Sequence, residues 1–234
     1  MLTESDKQWL ARYHPGLSVE SDDKITGEVE FTATYNKESG RFLQIEPDIV
    51  DGVGGLRLSG KFRITVVART VFRDLRLPAL TVEGIDAIPD RHFNQFDFSA
   101  CVCNPLEEDE FLERQFDFQR YFKELVVPFL YGQLYFSREG HWPWFDYAHG
   151  GLGTIEAFSR NPTPAKAEEC VQRIAREVQF WKIVKPLLLQ KSDIKGHTLC
   201  TCPRRDHLRR CHPVALTGLR LLKRVMKEHG IELP

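Results

Sequence analysis

The segment Leu77–Cys103, LPALTVEGIDAIPDRHFNQFDFSACVC, is the most informative part of this chain. It contains a His-x-Asn triplet, His92 to Asn94, and the thiol of Cys101 follows seven residues after the Asn. Two X-Pro pairs precede the triplet and restrict the backbone there. A carboxamide held near a thiol suits acyl transfer through a thioester, because the thiol carries the acyl group and the amide stabilises the oxyanion.

The regions before and after this segment predict different secondary structures. A helix is expected over 4–13, and alternating or β-rich patterns predict strands over 27–35, 41–45 and 61–68. Short antiparallel connections between these strands indicate a β-meander. The Gly-rich stretch 51–60 matches no phosphate-binding pattern and is interpreted as a loop.

After Cys103 the apolar residues recur at three- and four-residue spacings, which is typical of helices. We expect helices over 109–136, with a kink or break at Pro128, and over 165–181. A final amphipathic helix should end at Gly230. The fold class expected is therefore α+β.

Composition limits the function classes. The chain has 234 residues and six Cys, and its net charge is −1. Residues 191–234 hold ten Lys/Arg against four Asp/Glu, so the basic residues are concentrated in this last segment. No apolar run is long enough to span a membrane, and the first residues do not resemble a signal peptide. We therefore expect a cytoplasmic protein with no membrane partner and with reduced thiols.

The last segment contains a candidate metal site. Cys200, Cys202, Cys211 and His212 give a C-x-C-x8-C-H pattern, and three thiols with one imidazole suit a tetrahedral zinc ion. Because the four protein ligands fill the coordination shell, the zinc is expected to be structural.

The order of strands, Pro-rich stretch, His-x-Asn triplet, cysteine and helices resembles the ubiquitin-conjugating (E2) superfamily, in particular its divergent bacterial members. The family triplet His-Pro-Asn corresponds to His92-Phe93-Asn94. Its Gly-x-x-Cys-Leu corresponds to Phe98–Val102, so Phe replaces the Gly. The resemblance implies an E2-like meander packed with helices, a thioester on Cys101, an oxyanion stabilised by Asn94 and a loop ordered by His92.

Two points stay open from the residues alone. Cys103 shares a face with Cys101 in an extended segment, so geometry does not separate the two thiols, although the family motif favours Cys101. The loop WPWFDYAHGG is similar to a bacterial E2-like element, which makes His149 a candidate base or orienting group. Asp97 and Asp146 are further candidates for orienting an amine.

The C-terminal pattern resembles the SEC-C zinc motif of the bacterial translocase motor protein, with a basic insert between the second and third cysteines. Together the two resemblances predict an E2-like domain over 1–160, a helical connector over 161–190 and a zinc module over 191–234.

The function expected is an E2-like cysteine transferase. It would need an E1-like activating protein, a ubiquitin-like or other protein cargo and an acceptor protein. Its bacterial relatives occur in anti-phage operons, some with cGAS-like nucleotidyltransferases. The alternative is a non-catalytic E2/RWD-type adaptor that binds a protein through its zinc module. The basic patch is short and has few aromatics, so nucleic acid is not the partner we expect.

Overall fold

The computed structural model describes residues 2–36, 43–49, 55–71, 74–94, 97–113, 115–144 and 146–234. The chain forms two compact units. The first contains residues 1–103 and 111–146, and the second contains residues 104–110 and 147–234. Each unit has its own apolar core. Residues 147–160 and 161–190 thus fall in the same unit as 191–234, whereas the sequence predicts boundaries at 160 and 190.

The first unit contains an antiparallel sheet, which confirms the predicted α+β class and the antiparallel strands. The strand order is β1-β2-β4-β5, and the short β3 pairs with the far end of β2. Residues 41 and 42 of the strand predicted at 41–45 lie outside the described residues. The strands are β1 Leu17–Ser21, β2 Lys24–Tyr35, β3 Leu43–Ile45, β4 Leu56–Val71 and β5 Asp74–Val82.

The sheet buries one face against helices. Along β2, Ile25, Val29 and Ala33 are fully buried, while Glu28 and Glu30 on the alternate positions are exposed. This is the period of two that a half-buried strand requires. The apolar side chains of β2 therefore hold the sheet against its helical layer.

The helical layer of the first unit is more broken than the sequence indicated. Its elements are α1 Glu4–Tyr13, the end of α2 Pro105–Glu113, α3 Phe118–Tyr121, a π-helical segment Phe122–Val126 and α4 Val127–Glu139. The helical segment predicted over 109–136, with its kink or break at Pro128, contains an earlier break that was not predicted, because α2 ends at Glu113 and Asp117 caps a new helix by accepting the Arg120 N–H at 2.9 Å. The irregularity expected at Pro128 is present as the π-helical segment just before it.

His14 gives this layer a pH-dependent contribution to stability. Its ring lies 4.6 Å from Phe122 and 4.9 Å from Trp9. Burial, and then the charge of Lys123, lowers the pKa of His14 to about 4 from an ordinary 6.5.

The neutral imidazole is favoured in the folded state, so this stability is fully present above pH 6.5 and is lost as the pH falls towards 4. After allowance for solvent screening of a partly buried ring, we expect the loss to be about 1–2 kcal/mol. Urea unfolding at pH 7, 5.5 and 4.5 should show a steeper decline for the wild type than for His14→Phe. Parallel declines would contradict this assignment.

The second unit is helical, with α5 Gly151–Arg160, α6 Pro164–Arg176, α7 Val178–Leu189, α8 Leu208–Cys211 and α9 Pro213–His229. The prediction of one helix over 165–181 is wrong. The chain leaves the helical conformation at Glu177, which has a ψ of 81°, so that α6 and α7 are separate helices. The predicted stop of α9 at Gly230 is confirmed, with φ 65°. Gly218 lets α9 approach α5, because a Cβ there would lie 2.4 Å from the Ile155 carbonyl oxygen.

Candidate functional site

The His-x-Asn triplet and the Cys101 segment form a small antiparallel pair in the first unit. Phe93 and Ala100 make an isolated bridge. The Cys101 N–H donates to the His92 carbonyl at 2.7 Å, and the Asn94 N–H donates to the Ser99 carbonyl at 2.8 Å. Phe93 and Ala100 are buried in the core. Asn94 and Cys101, which alternate with these buried residues, are both exposed, whereas His92 is half-buried and has a left-handed backbone with φ 57°.

A polar network holds the tip of this loop. The buried hydroxyl of Ser99 accepts from Asn94 Nδ2 at 2.9 Å and from Arg69 Nη2 at 2.8 Å, and it donates to Asp97 at 2.7 Å. The hydrogen bond from Ser99 outweighs partial burial and holds the pKa of Asp97 below its ordinary value. Arg69 also makes an ion pair with Asp97. Asn94 is thus fixed by its side chain, as a loop-holding role requires.

Ser99→Ala tests how much this network contributes. The change removes the hydrogen bonds of the hydroxyl to Asn94, Arg69 and Asp97. Because Asn94 is exposed and Arg69 keeps its ion pair with Asp97, water can replace part of the loss, and we expect the free energy of unfolding to fall by about 0.5–1.5 kcal/mol. Chemical denaturation of the full chain measures it. Ser137→Ala is the matched control, since Ser137 accepts from Arg91 at an exposed position and its loss should cost less than about 0.5 kcal/mol. Equal losses would show that the network is not stabilising.

The His92 ring is held by Asp146 and Trp142. Its Nε2 lies 2.9 Å from Asp146 Oδ1, and its ring meets Trp142 edge-on at 4.5 Å between centroids. Gly132 makes room for that indole, because a Cβ there would lie 2.7 Å from the Trp142 ring. Asp146, considered above for orienting an amine, therefore contacts His92 in this structure. These contacts agree with a loop-ordering role for His92.

The two neighbouring thiols differ in exposure. Cys101 is exposed, and its Sγ lies 3.6 Å from the Cys103 carbonyl oxygen. Cys103 is half-buried and packs against the core of the first unit. All six cysteines are within the described residues, and none forms a disulfide. Cys101 is thus the thiol of this pair that a large reactant can reach.

His149 lies in the second unit, in the exposed turn before α5. The neighbours of His149 are tied down by carboxylates. The Ala148 N–H donates to buried Glu156 at 2.8 Å, and the Gly151 N–H donates to Glu177 at 3.0 Å. These bonds give the His-Gly turn a defined shape. Its predicted role as a base stays a prediction.

Four donors meet in the second unit. The ligand atoms of Cys200, Cys202, Cys211 and His212 all lie within 4.8 Å of one another. Cys200 Sγ is 3.1 Å from His212 Nδ1, and Cys202 Sγ is 3.2 Å from Cys211 Sγ. Ligand atoms around a tetrahedral zinc ion are about 3.3–3.8 Å apart, given the usual Zn–S and Zn–N lengths. The group can therefore hold one metal ion.

The local fold explains how these donors meet. An isolated bridge joins Leu199 to His207, and the Cys200 N–H donates to the Asp206 carbonyl at 2.7 Å. Arg205, at φ 50°, closes the turn between the two pairs of ligands and donates its N–H to the Cys202 carbonyl. Burial raises the pKa of Cys200 to about 12, so a cation is needed to hold this thiol as a thiolate.

Sequence reasoning missed Arg69 and Ser99. Arg69 is 28 residues from Asp97 and reaches the loop only through the pairing of β4 with β5. The hydroxyl of Ser99 sits inside the motif, but its burial is visible only in the fold.

None of the protein-family models, curated proteins or solved structures compared with this chain matches it. Among the described residues, no helix combines the length and the apolar character needed to cross a membrane.

Proposed function

We propose that this protein is an E2-like cysteine transferase that carries an acyl group as a thioester on Cys101. The observation that carries the proposal is the pairing of the triplet with the Cys101 segment, which puts an exposed thiol on the same face as Asn94. The antiparallel sheet before this loop and the helices after it agree with the order of elements in the E2 family.

The conformation of Phe98 supports the alignment with the family motif. Its φ is 54°, and its side chain is 61% exposed. Left-handed backbone strongly favours glycine, and the family has glycine at this position. Phe98 has the backbone conformation that a glycine would have at this position. This agrees with a turn of the same shape as in the family motif, with phenylalanine in place of the glycine.

The reaction proposed has two transfers. The Cys101 thiolate attacks the carbonyl carbon of a thioester on an E1-like protein, and the E1 thiolate leaves. An acceptor amine or thiol then attacks the new thioester, loses its proton, and the Cys101 thiolate leaves. A carboxamide has two N–H donors, so Asn94 can keep its bond to Ser99 and donate the second to the oxyanion.

The test is the formation of a covalent adduct. The full chain is incubated with ATP and an extract of the organism that encodes it, and is separated on a non-reducing gel. We expect a product larger than 27.1 kDa that dithiothreitol and hydroxylamine both cleave. A disulfide would resist hydroxylamine. If the thiols give no adduct with any activated donor, the chain is not a thioester carrier.

The second candidate function is a non-catalytic adaptor of E2/RWD type that binds a protein through its metal module. The observation in its favour is that Asn94 is engaged in holding its own loop. The partners proposed remain an E1-like protein, a protein cargo, an acceptor and, in an anti-phage context, a cGAS-like nucleotidyltransferase.

We propose zinc as the ion of the Cys/His group. Three thiolates and one imidazole are the usual ligands of structural zinc sites, and the four donors leave no open position for a reacting water. Arg204, Arg205, Arg209 and Arg210 surround these ligands and are exposed, so the module is suited to bind an acidic surface of a protein partner.

A further inference from the structure

The outer edge of β2 has a gap in its pairing. On one side β2 pairs with β4 along its whole length. On the other side β1 pairs with residues 24–27 and β3 pairs with residues 33–35. The Glu28 N–H donates to Gly16, and the Thr32 carbonyl accepts from Glu46, so both residues face this edge. Because backbone groups alternate in direction, the N–H and C=O of Glu30 face it too.

No described strand covers the backbone of Glu30 at this edge. An edge with an available donor and acceptor is the feature to which an extended peptide adds as a strand. The interval from residue 28 to residue 32 is about 13 Å long at the usual rise of a strand. That length accommodates three or four residues of a peptide.

A cavity of about 1360 Å³ opens beside this gap. Its lining is mixed: four aromatic side chains, Trp9 and Tyr13 from α1, Phe31 from β2 and Phe122 from the π-helical segment, lie among polar and charged residues. His14 lies among them, and its lowered pKa keeps the imidazole ring uncharged at neutral pH. A cavity with these walls favours a large apolar side chain.

The charged residues around the cavity are mostly acidic. Lys61 is bound by Glu28 and Glu30 at 2.9 and 3.0 Å, and Lys123 lies over the Trp9 ring. These are the two lysines of the lining. The carboxylates of the lining number four. Glu30 pairs with Lys61, Glu46 with Arg57 and Glu124 with Arg120, while Asp48 forms no ion pair with a described residue. A ligand with positive charges next to its apolar side chain complements this rim.

We propose that this edge binds an extended segment of a partner protein. The segment adds as a short strand beside Glu30, places one large apolar side chain in the cavity, and carries Lys or Arg on either side of it. The site does not involve Cys101, so it is independent of the thioester proposal.

A phage-displayed library of random dodecapeptides, panned on the full-length protein, tests the proposal. We expect the enriched peptides to share a large apolar residue flanked by Lys or Arg. The best of them, made synthetically with a fluorescent label, should bind the wild type in an anisotropy titration. If no such peptide is enriched, the proposal is wrong.

Glu30→Pro and Glu30→Gln form the decisive pair of variants. Proline removes the N–H that faces the gap, and this N–H makes no bond to β4, so the sheet should tolerate the change. Glutamine keeps the N–H and removes only the charge. We expect Glu30→Pro to lower the affinity for the synthetic peptide at least tenfold. Glu30→Gln should lower it at most about threefold. If the wild type and Glu30→Pro bind the peptide with equal affinity, the peptide does not add as a strand beside Glu30.

Amide hydrogen exchange of the wild type gives a second measurement that needs no variant. The saturating synthetic peptide should slow exchange at the Glu30 amide at least tenfold, while amides of β2 that are bonded to β4 change little. An unchanged rate at Glu30 would show that the peptide binds elsewhere.

Discussion

Cys101→Ala is expected to abolish the thiol-sensitive adduct completely, whereas Cys103→Ala should leave most of it. The physical reason is access, because Cys101 is exposed and Cys103 packs against the core. A thioester with a protein cargo forms only where the partner can bring its carbonyl to the sulfur. Quantitative non-reducing gels of the three proteins, each with the same activated donor, measure the effect.

Cys101→Ser sharpens this experiment. Serine places a hydroxyl at the same position, so any adduct that it forms is an ester and should survive dithiothreitol. An adduct that persists in Cys101→Ala and disappears in Cys103→Ala would assign the reaction to the other thiol. An adduct unaffected by either change would leave the adaptor as the better function.

Removal of the metal should have the largest effect on stability. Structural zinc contributes about 10 kcal/mol or more in small zinc domains, which is comparable to the whole stability of a typical domain. We expect one zinc ion per chain and, after chelation, rapid hydrogen exchange through α8 and the start of α9. Cys202→Ala should reproduce this loss. Zinc is quantified by a colour reagent after denaturation, and exchange is followed by mass spectrometry.

Cys170→Ala is the control for the metal experiment. Cys170 is a fully buried thiol in the core of the same unit, outside the group of four donors. Its removal should cost only about 1–3 kcal/mol and should leave the zinc bound. The strands of the first unit, which has its own core, should keep their protection in every variant. A fully folded second unit without metal would show that the ion is not structural.

The sequence predicted the elements whose signals are local. The alternation in β2 and the glycine after α9 each lie within the element that they define, so both were recognised. The grouping of Cys200, Cys202, Cys211 and His212 was also predicted, because the four residues occupy one short segment. The gap in the outer edge of β2 could not be predicted from the sequence. It depends on the residues of β2 at which β1 and β3 stop pairing, and these are set only in the folded sheet.

A long-range contact accompanies the error at Glu177. The apolar stripe continues past Glu177, so the pattern predicts one helix over 165–181. In the fold, Glu177 accepts the Gly151 N–H, and the chain leaves the helical conformation there. The loop that carries Cys101 also depends on such a contact, since the fold adds Arg69 from β4 to a motif that is otherwise contiguous in sequence.

The division into units is discontinuous along the chain, and this affects how the protein can be cut. The chain leaves the first unit after Cys103, returns at Phe111 and leaves again after Asp146. A fragment that stops at residue 146 would still carry residues 104–110 of the second unit. Leu106, only 4% exposed in the intact protein, would then lose the core that covers it. Limited proteolysis after residue 146 should therefore yield a fragment prone to aggregate rather than a clean domain.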